Sequence, residues 1–179
     1  MGWTLWAVVI WACSAGNEDN LLANPGFEDI IVDRPARWDL FLLPQEGAAG
    51  RLDDVAHGGK YAVMLHIPMP YDRDPINNWS QNLFGDFAGK TVCAAGYIKV
   101  AEATEAALWV QCWRKRPWTL LLAASTSTES PFYGTRDWER VEMSLEVPKG
   151  TDFLTFRSVL KGTGTAWFDD LELTAAETK

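Results

Sequence analysis

Two acidic residues near opposite ends of the 179-residue sequence are the first candidates for chemistry. Glu28 follows the turn sequence Asn24-Pro25-Gly26-Phe27, and Asp169 lies in the stretch GTGTAWFDDLEL. As a strand, this stretch has two faces, and the more apolar face carries Trp167, Asp169, Leu171 and Leu173. An ionised carboxylate on such a face is costly unless it is paired, hydrogen-bonded or bound to a metal. Asp169 therefore requires a partner elsewhere in the chain.

A bound cation is one such partner. If the first and last strands meet, Glu28 and Asp169 come close together, and two carboxylates tolerate that only with a cation between them. Oxygen ligands of this kind suit a hard cation, in the first place Ca²⁺. The alternative interpretation is that the two carboxylates are separate and that each is solvated or hydrogen-bonded.

The elements that would position these residues are short strands separated by Gly, Pro and polar turns. The stretch WERVEMSLEV shows the alternation most clearly, since Val141, Met143, Leu145 and Val147 share one side. No stretch after the first fifteen residues keeps a helical period for three turns. The pattern predicts an all-β protein, an antiparallel β-sandwich. A jelly roll is the favoured topology, because its first and last strands would meet at the cation.

Composition and charge limit the function. A formal net charge of -8 argues against a nucleic-acid partner, which would require a basic face. The two histidines, His57 and His66, lack the helical spacing of a zinc enzyme. In each of the acidic pairs Asp53-Asp54 and Asp169-Asp170, the two side chains point to opposite sides of the strand. The two acids of a pair therefore cannot act together as general acid and general base. These features disfavour an enzyme.

The N-terminal stretch MGWTLWAVVIWACSA is uncharged and ends in small residues. We interpret residues 1–15 as a secretory signal peptide, with lipid attachment at Cys13 as the alternative. The sequence then divides into a short linker at 16–20, a β-sandwich binding module at 21–173 and a tail at 174–179. No segment beyond the leader is apolar enough to span a membrane.

Two remaining cysteines lie on strand-like segments, Lys90–Ala101 and Ala106–Arg114. If the polar residues Glu102–Thr104 form a tight turn, the two segments are a hairpin, and Cys93 faces Cys112. An exported protein permits a disulfide there. Two small buried thiols are the equally weighted alternative.

Aromatic residues suggest a binding surface. Trp109, Gln111 and Trp113 share one strand face, and in the hairpin they would lie over the small residues Gly96, Ala94 and Val92. Pyranose rings stack on aromatic side chains, and their hydroxyl groups bind amides and charged groups. The residues that would extend this surface are Trp79, Tyr97, Arg114 and Trp118. The alternative is that Trp109 and Trp113 belong to the core.

Five motifs carry a family resemblance: NLLANPGFED, AHGGKYAVML, GKTVCAAGYIKV, DWERVEMSLEVPKGTDFL and GTGTAWFDDLEL. Their order resembles that of carbohydrate-binding modules with a galactose-binding-domain-like jelly roll, over about Asn20 to Leu173. The resemblance implies a structural Ca²⁺ that joins the chain ends. Its ligands would be Glu28, Asp54, the backbone carbonyl of His57, and Asp169.

Three hypotheses follow in order of preference. The first is a secreted, non-catalytic protein that binds a polysaccharide or glycan, with a structural calcium. The second is a β-sandwich of the cell envelope that binds another envelope protein and has no sugar site. A β-sandwich hydrolase or lyase is third. The first hypothesis requires Trp109 and Trp113 to point outward, whereas the second is favoured if both lie inside.

Overall fold

The computed structural model of the chain describes residues 20–73 and 75–177. These residues form eleven strands and a 3₁₀ turn at Thr126–Thr128. The strands are β1 (Ile30–Ile31), β2 (Arg34–Pro35), β3 (Asp39–Phe41), β4 (Ala49–Asp53), β5 (Ala62–Ile67), β6 (Asn77–Phe84), β7 (Lys90–Lys115), β8 (Trp118–Ser125), β9 (Phe132–Glu146), β10 (Phe153–Lys161) and β11 (Gly164–Glu177). None of the described segments is a helix long and apolar enough to cross a membrane.

Strand β7 organises the molecule, because its two halves belong to different layers. Its first half pairs with β11 and β9, and the sheet continues through β5 to β4; this is the first layer. Its second half pairs with β10 and β8, and the sheet continues through β6 to β3; this is the second layer. Every one of these pairs is antiparallel. The predicted antiparallel β-sandwich is confirmed.

The core lies between the two layers. Alternate side chains of β7 enter it from both halves, including Ile98 from the first and Leu108 from the second. The alternation predicted in β9 is confirmed, since Val141, Leu145 and Val147 are buried. Leu154, Phe156 and Leu160 of β10 are buried opposite them. Removing these apolar surfaces from water is the main source of the stability of the sandwich.

The predicted hairpin within β7 is wrong. Glu102 has a positive φ of 52°, and its backbone N–H donates to Thr135 Oγ1 at 3.0 Å. The chain therefore bends at Glu102 and passes from one layer to the other instead of reversing. The segment contains no Gly, Pro or Asn, the residues that tight two-residue turns favour.

The cysteine prediction that depended on this hairpin is also wrong. Cys112 is a free thiol, fully buried in the core. Cys93 lies in the other half of β7, is half-buried and points away from the core. A Cys93–Cys112 disulfide does not exist, and the buried-thiol alternative describes Cys112 alone.

The ends of the module extend beyond the predicted boundaries. Asn20, assigned to the linker, donates from Nδ2 to the Leu171 carbonyl at 2.8 Å and accepts at Oδ1 from the Leu173 N–H at 3.0 Å. Strand β11 continues through the predicted tail as far as Glu177. The predicted leader, its alternative lipid site at Cys13 and the linker residues 16–19 lie outside the described residues.

A β-bulge changes the predicted faces of β11. The register with β7 shifts between Asp169 and Glu172, and Asp170 has a positive φ of 46°. Because the bulge inserts a residue, Phe168 and Leu171 both face the core, and Trp167 lies on the outer side, half-buried. The prediction that Trp167 shares a face with Leu171 and Leu173 is wrong. Asp169, at the bulge, is fully buried, as expected.

Candidate functional site

Two parts of the structure correspond to the predicted sites. The first is a carboxylate cluster around the turn between β4 and β5, where both ends of the module meet. The second is the outer face of the second layer, which carries Trp109, Gln111 and Trp113.

The Asp169 carboxylate is held by backbone N–H groups. Its Oδ2 accepts from His57 at 2.8 Å and from Gly58 at 3.0 Å, and its Oδ1 accepts from Asp170 at 2.8 Å. Burial raises the pKa of Asp169 to about 6, and the neighbouring Asp170 charge adds to this rise, while the three N–H donors oppose it. The partner that Asp169 requires is therefore, at least in part, the backbone of the turn.

Glu28 binds the other side of the same turn. Its Oε1 accepts from the Lys60 N–H at 2.7 Å and from the Tyr61 N–H at 3.0 Å. Gly59 has a φ of +60° and leaves room for this carboxylate, since a Cβ there would overlap Glu28 Oε1. The predicted meeting of the chain ends occurs, with the turn between the two carboxylates.

His57 is enclosed by aromatic and acidic side chains. Its Nδ1 lies 2.6 Å from Asp170 Oδ2. Its ring stacks on Tyr97 with the centroids 3.5 Å apart, and Trp138 packs edge-on at 5.8 Å. Tyr97 and Trp138 thus support the turn in the first layer.

A Ca²⁺ in this cluster would need many backbone or water oxygens. Among the described residues, no three His, Cys, Asp or Glu side chains are grouped closely enough to hold a metal. Asp54, the third predicted carboxylate ligand, is exposed. The resemblance also uses the His57 carbonyl, and Ca²⁺ accepts such ligands within a shell of six to eight oxygens. Glu28 and Asp169 both accept hydrogen bonds from the backbone of the turn, and the calcium site stays a prediction.

On the second layer, the strand register arranges the outer face in rows. Trp113 lies beside Phe153 and Phe84, Gln111 beside Thr155 and Asn82, and Trp109 beside Arg157 and Ser80. Successive rows are about 7 Å apart, the rise of two strand residues. The actual neighbours of Trp109, Gln111 and Trp113 are therefore on β10 and not, as predicted, within β7.

Exposed aromatic rings are concentrated at one end of this face. Trp113 lies 6.0 Å from Trp118 and 6.4 Å from Phe153, and Phe153 lies 5.5 Å from Phe84, all between ring centroids. Trp118 and Phe84 are both 67% exposed. Lys115 Nζ lies 4.7 Å from the centroid of the Phe84 ring. Such a large exposed patch is typical of a ligand or partner surface.

Beside this aromatic patch, buried polar atoms lack partners within the protein. On strands of the second layer, the unpaired atoms of the described residues are Asn78 Oδ1, Trp109 Nε1, Gln111 Oε1, Arg114 Nε, Arg157 Nε and Ser158 Oγ. Buried polar groups are normally hydrogen-bonded, so each unpaired one needs an explanation. Trp109, Gln111 and Arg157 share one face of the second layer.

Other predicted members of this surface lie elsewhere. Trp79 is 1% exposed, belongs to the core and donates from Nε1 to the Met64 carbonyl at 3.2 Å, so its assignment to the ligand surface is wrong. Arg114 follows Trp113 and projects from the other side of the strand. Tyr97 lies in the first layer against His57. Phe153, Phe84 and Arg157 were missed, because the pairing of β10 with β7 and β6 has no local sequence signal.

A separate shallow cleft of about 260 Å³ lies on the outer side of the first layer. Its lining is Gly47, Ala49, Arg51, Asp53, Met64, His66, Thr165 and Trp167. His66 Nδ1 lies 2.8 Å from Thr165 Oγ1, and Arg51 is 3.5 Å from Asp53. These polar groups largely satisfy one another.

Comparison with known proteins shows the fold. No family model and no curated protein sequence matches the chain. Among solved structures, the chain is similar to the CBM22-1 xylan-binding domain of Paenibacillus barcinonensis Xyn10C, with a TM-score of 0.56 and 15% identity over 94% of this chain and 100% of that one. It is also similar to TmCBM61 in complex with β-1,4-galactotriose, with a TM-score of 0.56 and 17% identity over 88% of this chain and 99% of that one.

Part of a larger protein also shares the fold. The enzymatically active domain of tailspike protein 4 from bacteriophage CBA120 has a TM-score of 0.68 and 10% identity over 88% of this chain, which spans only 21% of that one. By contrast, modules of families 4, 22 and 61 are covered over nearly their whole length. The chain has the all-β, jelly-roll-like fold of carbohydrate-binding modules, as its motifs predicted.

Proposed function

We propose that this protein binds a polysaccharide or glycan on the outer face of the second layer, and that it holds the glycan without cleaving it. Trp109, Gln111 and Trp113 are the central contacts. The observation that carries this proposal is the cluster of aromatic rings around Trp113, in which Trp118 and Phe84 are 67% exposed, on the same face as the unpaired polar atoms of Trp109, Gln111 and Arg157.

The chemistry of this face suits a sugar chain. Aromatic rings at Trp113, Trp118 and Phe84 offer flat apolar surfaces for the C–H faces of pyranose rings. The unpaired indole N–H of Trp109 can donate to a hydroxyl, and the unpaired Gln111 carbonyl can accept from one. Trp109 and Trp113 are four residues apart, about 14 Å along the strand, so the face suits a chain of several sugar units.

The fold gives independent support for a glycan ligand. The solved modules that the chain covers over their full length include a xylan-binding domain and a module in complex with galactotriose. Export through residues 1–15 would bring the protein to such polymers outside the cell. A structural Ca²⁺ at Glu28 and Asp169 would stabilise the module at a distance from the glycan.

Affinity electrophoresis tests this proposal. The wild-type protein is run through native gels that contain xylan, β-1,4-galactan or other soluble polysaccharides. We expect retardation by at least one polymer and its loss in Trp113→Ala and Trp109→Ala. If no polymer retards the wild type, the proposal is wrong.

A matched control separates this face from a general loss of folding. Tyr133 is 62% exposed on β9, outside the second layer, so Tyr133→Ala removes an exposed aromatic ring at another place. We expect Tyr133→Ala to be retarded like the wild type. Equal loss of retardation in Tyr133→Ala and Trp113→Ala would contradict the assignment of the site.

A further inference from the structure

Arg157 is a cation in the middle of the glycan face, and no carboxylate of the surrounding side chains that the structure describes balances its charge. It lies in the middle of β10, with Trp109 on one neighbouring strand and Ser80 on the other. Its Nε is buried without a hydrogen-bond partner. Within the described part of the chain, no carboxylate lies within ion-pair distance of its guanidinium group.

Most other partly buried cations of the described residues are paired; Arg114, whose Nε is also buried without a partner, is an exception. Lys161, on the same face, binds Glu105 at 3.1 Å, and Arg140 binds Glu142 and Glu172 in the first layer. Lys99, Arg51 and Arg136 also have carboxylate partners. Arg157 therefore differs from most of the cations of this acidic protein.

The nearest acidic residues of the second layer have other partners or are distant. Glu105 binds both Lys161 and Ser127, and Asp152 accepts from the Lys115 N–H at 2.6 Å. Asp39 is paired with Ser80 in the register, so two strand spacings, about 10 Å, separate its backbone from that of Arg157.

Leaving Arg157 in this state has a cost that a ligand can remove. Burial lowers the pKa of the Arg157 guanidinium, because the charged form loses solvation. A carboxylate matches the planar fork of a guanidinium with two parallel hydrogen bonds. A neutral hydroxyl could accept one hydrogen bond from the guanidinium group but would leave its charge unpaired.

We propose that the glycan bound by this face carries a carboxylate, as a uronic acid does, and that Arg157 binds that carboxylate beside the stacking ring of Trp109. This inference rests on the proposed glycan-binding function and narrows it to acidic polysaccharides. Trp109 and Gln111 then contact the same or the adjacent sugar unit. The aromatic patch at Trp113 binds units further along the chain.

The test compares matched polymers that differ only in their carboxylates. Polygalacturonate, alginate and glucuronoxylan are each offered to the whole protein before and after the carboxylates are methyl-esterified or reduced. We expect the wild-type protein to bind at least one polymer about tenfold more tightly in the carboxylate form. A tenfold difference in affinity is about what one charge-assisted hydrogen bond typically contributes. Equal binding of the two forms would overturn the inference.

Variants of Arg157 locate the effect. Arg157→Gln removes the charge and should bind the carboxylate and neutral forms equally. Arg157→Lys keeps the charge but cannot make two parallel hydrogen bonds, so it should retain part of the preference for the carboxylate form. Arg51→Gln removes a cation from the first layer and should behave as wild type. A carboxylate preference that survives in Arg157→Gln would contradict the role of Arg157, and melting curves verify that each variant is folded.

The outcomes also separate this inference from the proposed function. If the polymers bind in a Trp113-dependent manner with no carboxylate preference, the glycan-binding function stands and the assignment to acidic glycans is wrong. If no polymer binds in either form, both fail.

Discussion

The carboxylate of Asp169 accepts a 2.8 Å hydrogen bond from the backbone N–H of His57, across 112 residues of sequence. Glu28 accepts from Lys60 and Tyr61 at the other end of the same turn. Backbone N–H groups of one turn thus bind a carboxylate from each end of the module. This arrangement joins the first and last segments of the sandwich through backbone donors.

Asp169→Ala should lower the free energy of unfolding by about 2–4 kcal/mol, because it leaves up to three backbone N–H donors without an acceptor. Asp169→Asn retains one acceptor oxygen and should lose less. Urea denaturation measures both. Asp137→Ala, whose side chain is 82% exposed in an ion pair with Lys99, should leave the midpoint nearly unchanged. A loss no larger than that of Asp137→Ala would contradict the structural role of Asp169.

Calcium should raise the melting temperature of the wild-type protein and have no effect on Asp169→Asn. A ligand that binds only the native state stabilises it by mass action. The predicted carboxylate ligands are Glu28, Asp54 and Asp169, so removing Glu28 or Asp169 should abolish the response. Differential scanning fluorimetry with Ca²⁺ and with a chelator provides the measurement, and Mg²⁺ serves as the control ion. An unchanged melting curve after chelation would refute the calcium prediction.

Gly96→Ala should destabilise the sandwich by about 1–3 kcal/mol, because overpacking a close contact costs free energy. A Cβ at Gly96 would lie 2.5 Å from Leu171 Cδ2 and 3.3 Å from Leu171 Cα. The double variant Gly96→Ala, Leu171→Ala should lose less than the sum of the two single variants, since shortening Leu171 relieves part of the overlap. Additive losses in urea denaturation would show that Leu171 is not the opposing group.

Cys112 should resist alkylation in the native protein. Burial raises the pKa of its thiol to about 11 from 9.0, so the thiolate fraction at pH 8 falls about 100-fold. Iodoacetamide labelling followed by mass spectrometry of the Cys112 peptide should show almost no modification at pH 8, and full modification in denaturant. The labelling should increase only as the pH approaches 11. Rapid labelling of the native protein at pH 8 would place Cys112 at the surface.

The sequence predicted features that depend on local alternation. The two-residue period of β9 placed Val141 and Leu145 inside, and the same period placed Trp109, Gln111 and Trp113 on one face. The need of Asp169 for a polar partner followed from its apolar neighbours and does not depend on the fold. Such inferences require only the residues of one strand.

Features that depend on which strands pair could not be predicted in this way. The bend at Glu102 has no Gly or Pro, so the 26-residue strand β7 was interpreted as a hairpin, and the neighbours of Trp109 were misplaced. The bulge at Asp170 places Trp167 on the outer side of β11 instead of the core side, and no glycine in the sequence indicates a bulge at this position. Trp79 was assigned to the surface although long-range packing places it in the core. The position of Arg157 beside Trp109 depends on the pairing of β10 with β7.

The central claim is that a glycan binds at Trp109 and Trp113. The most direct measurement is an NMR titration of the ¹⁵N-labelled protein with an oligosaccharide from a polysaccharide that it binds. The signals observed are those of the indole N–H groups of the tryptophans. The signal of Trp109, whose Nε1 has no partner in the protein, should shift together with that of Trp113. Those of Trp38 and Trp79, which donate to the carbonyls of Asn24 and Met64, should not move. Shifts confined to Trp167 or other tryptophans outside the second layer, with Trp109 and Trp113 unchanged, would contradict the account.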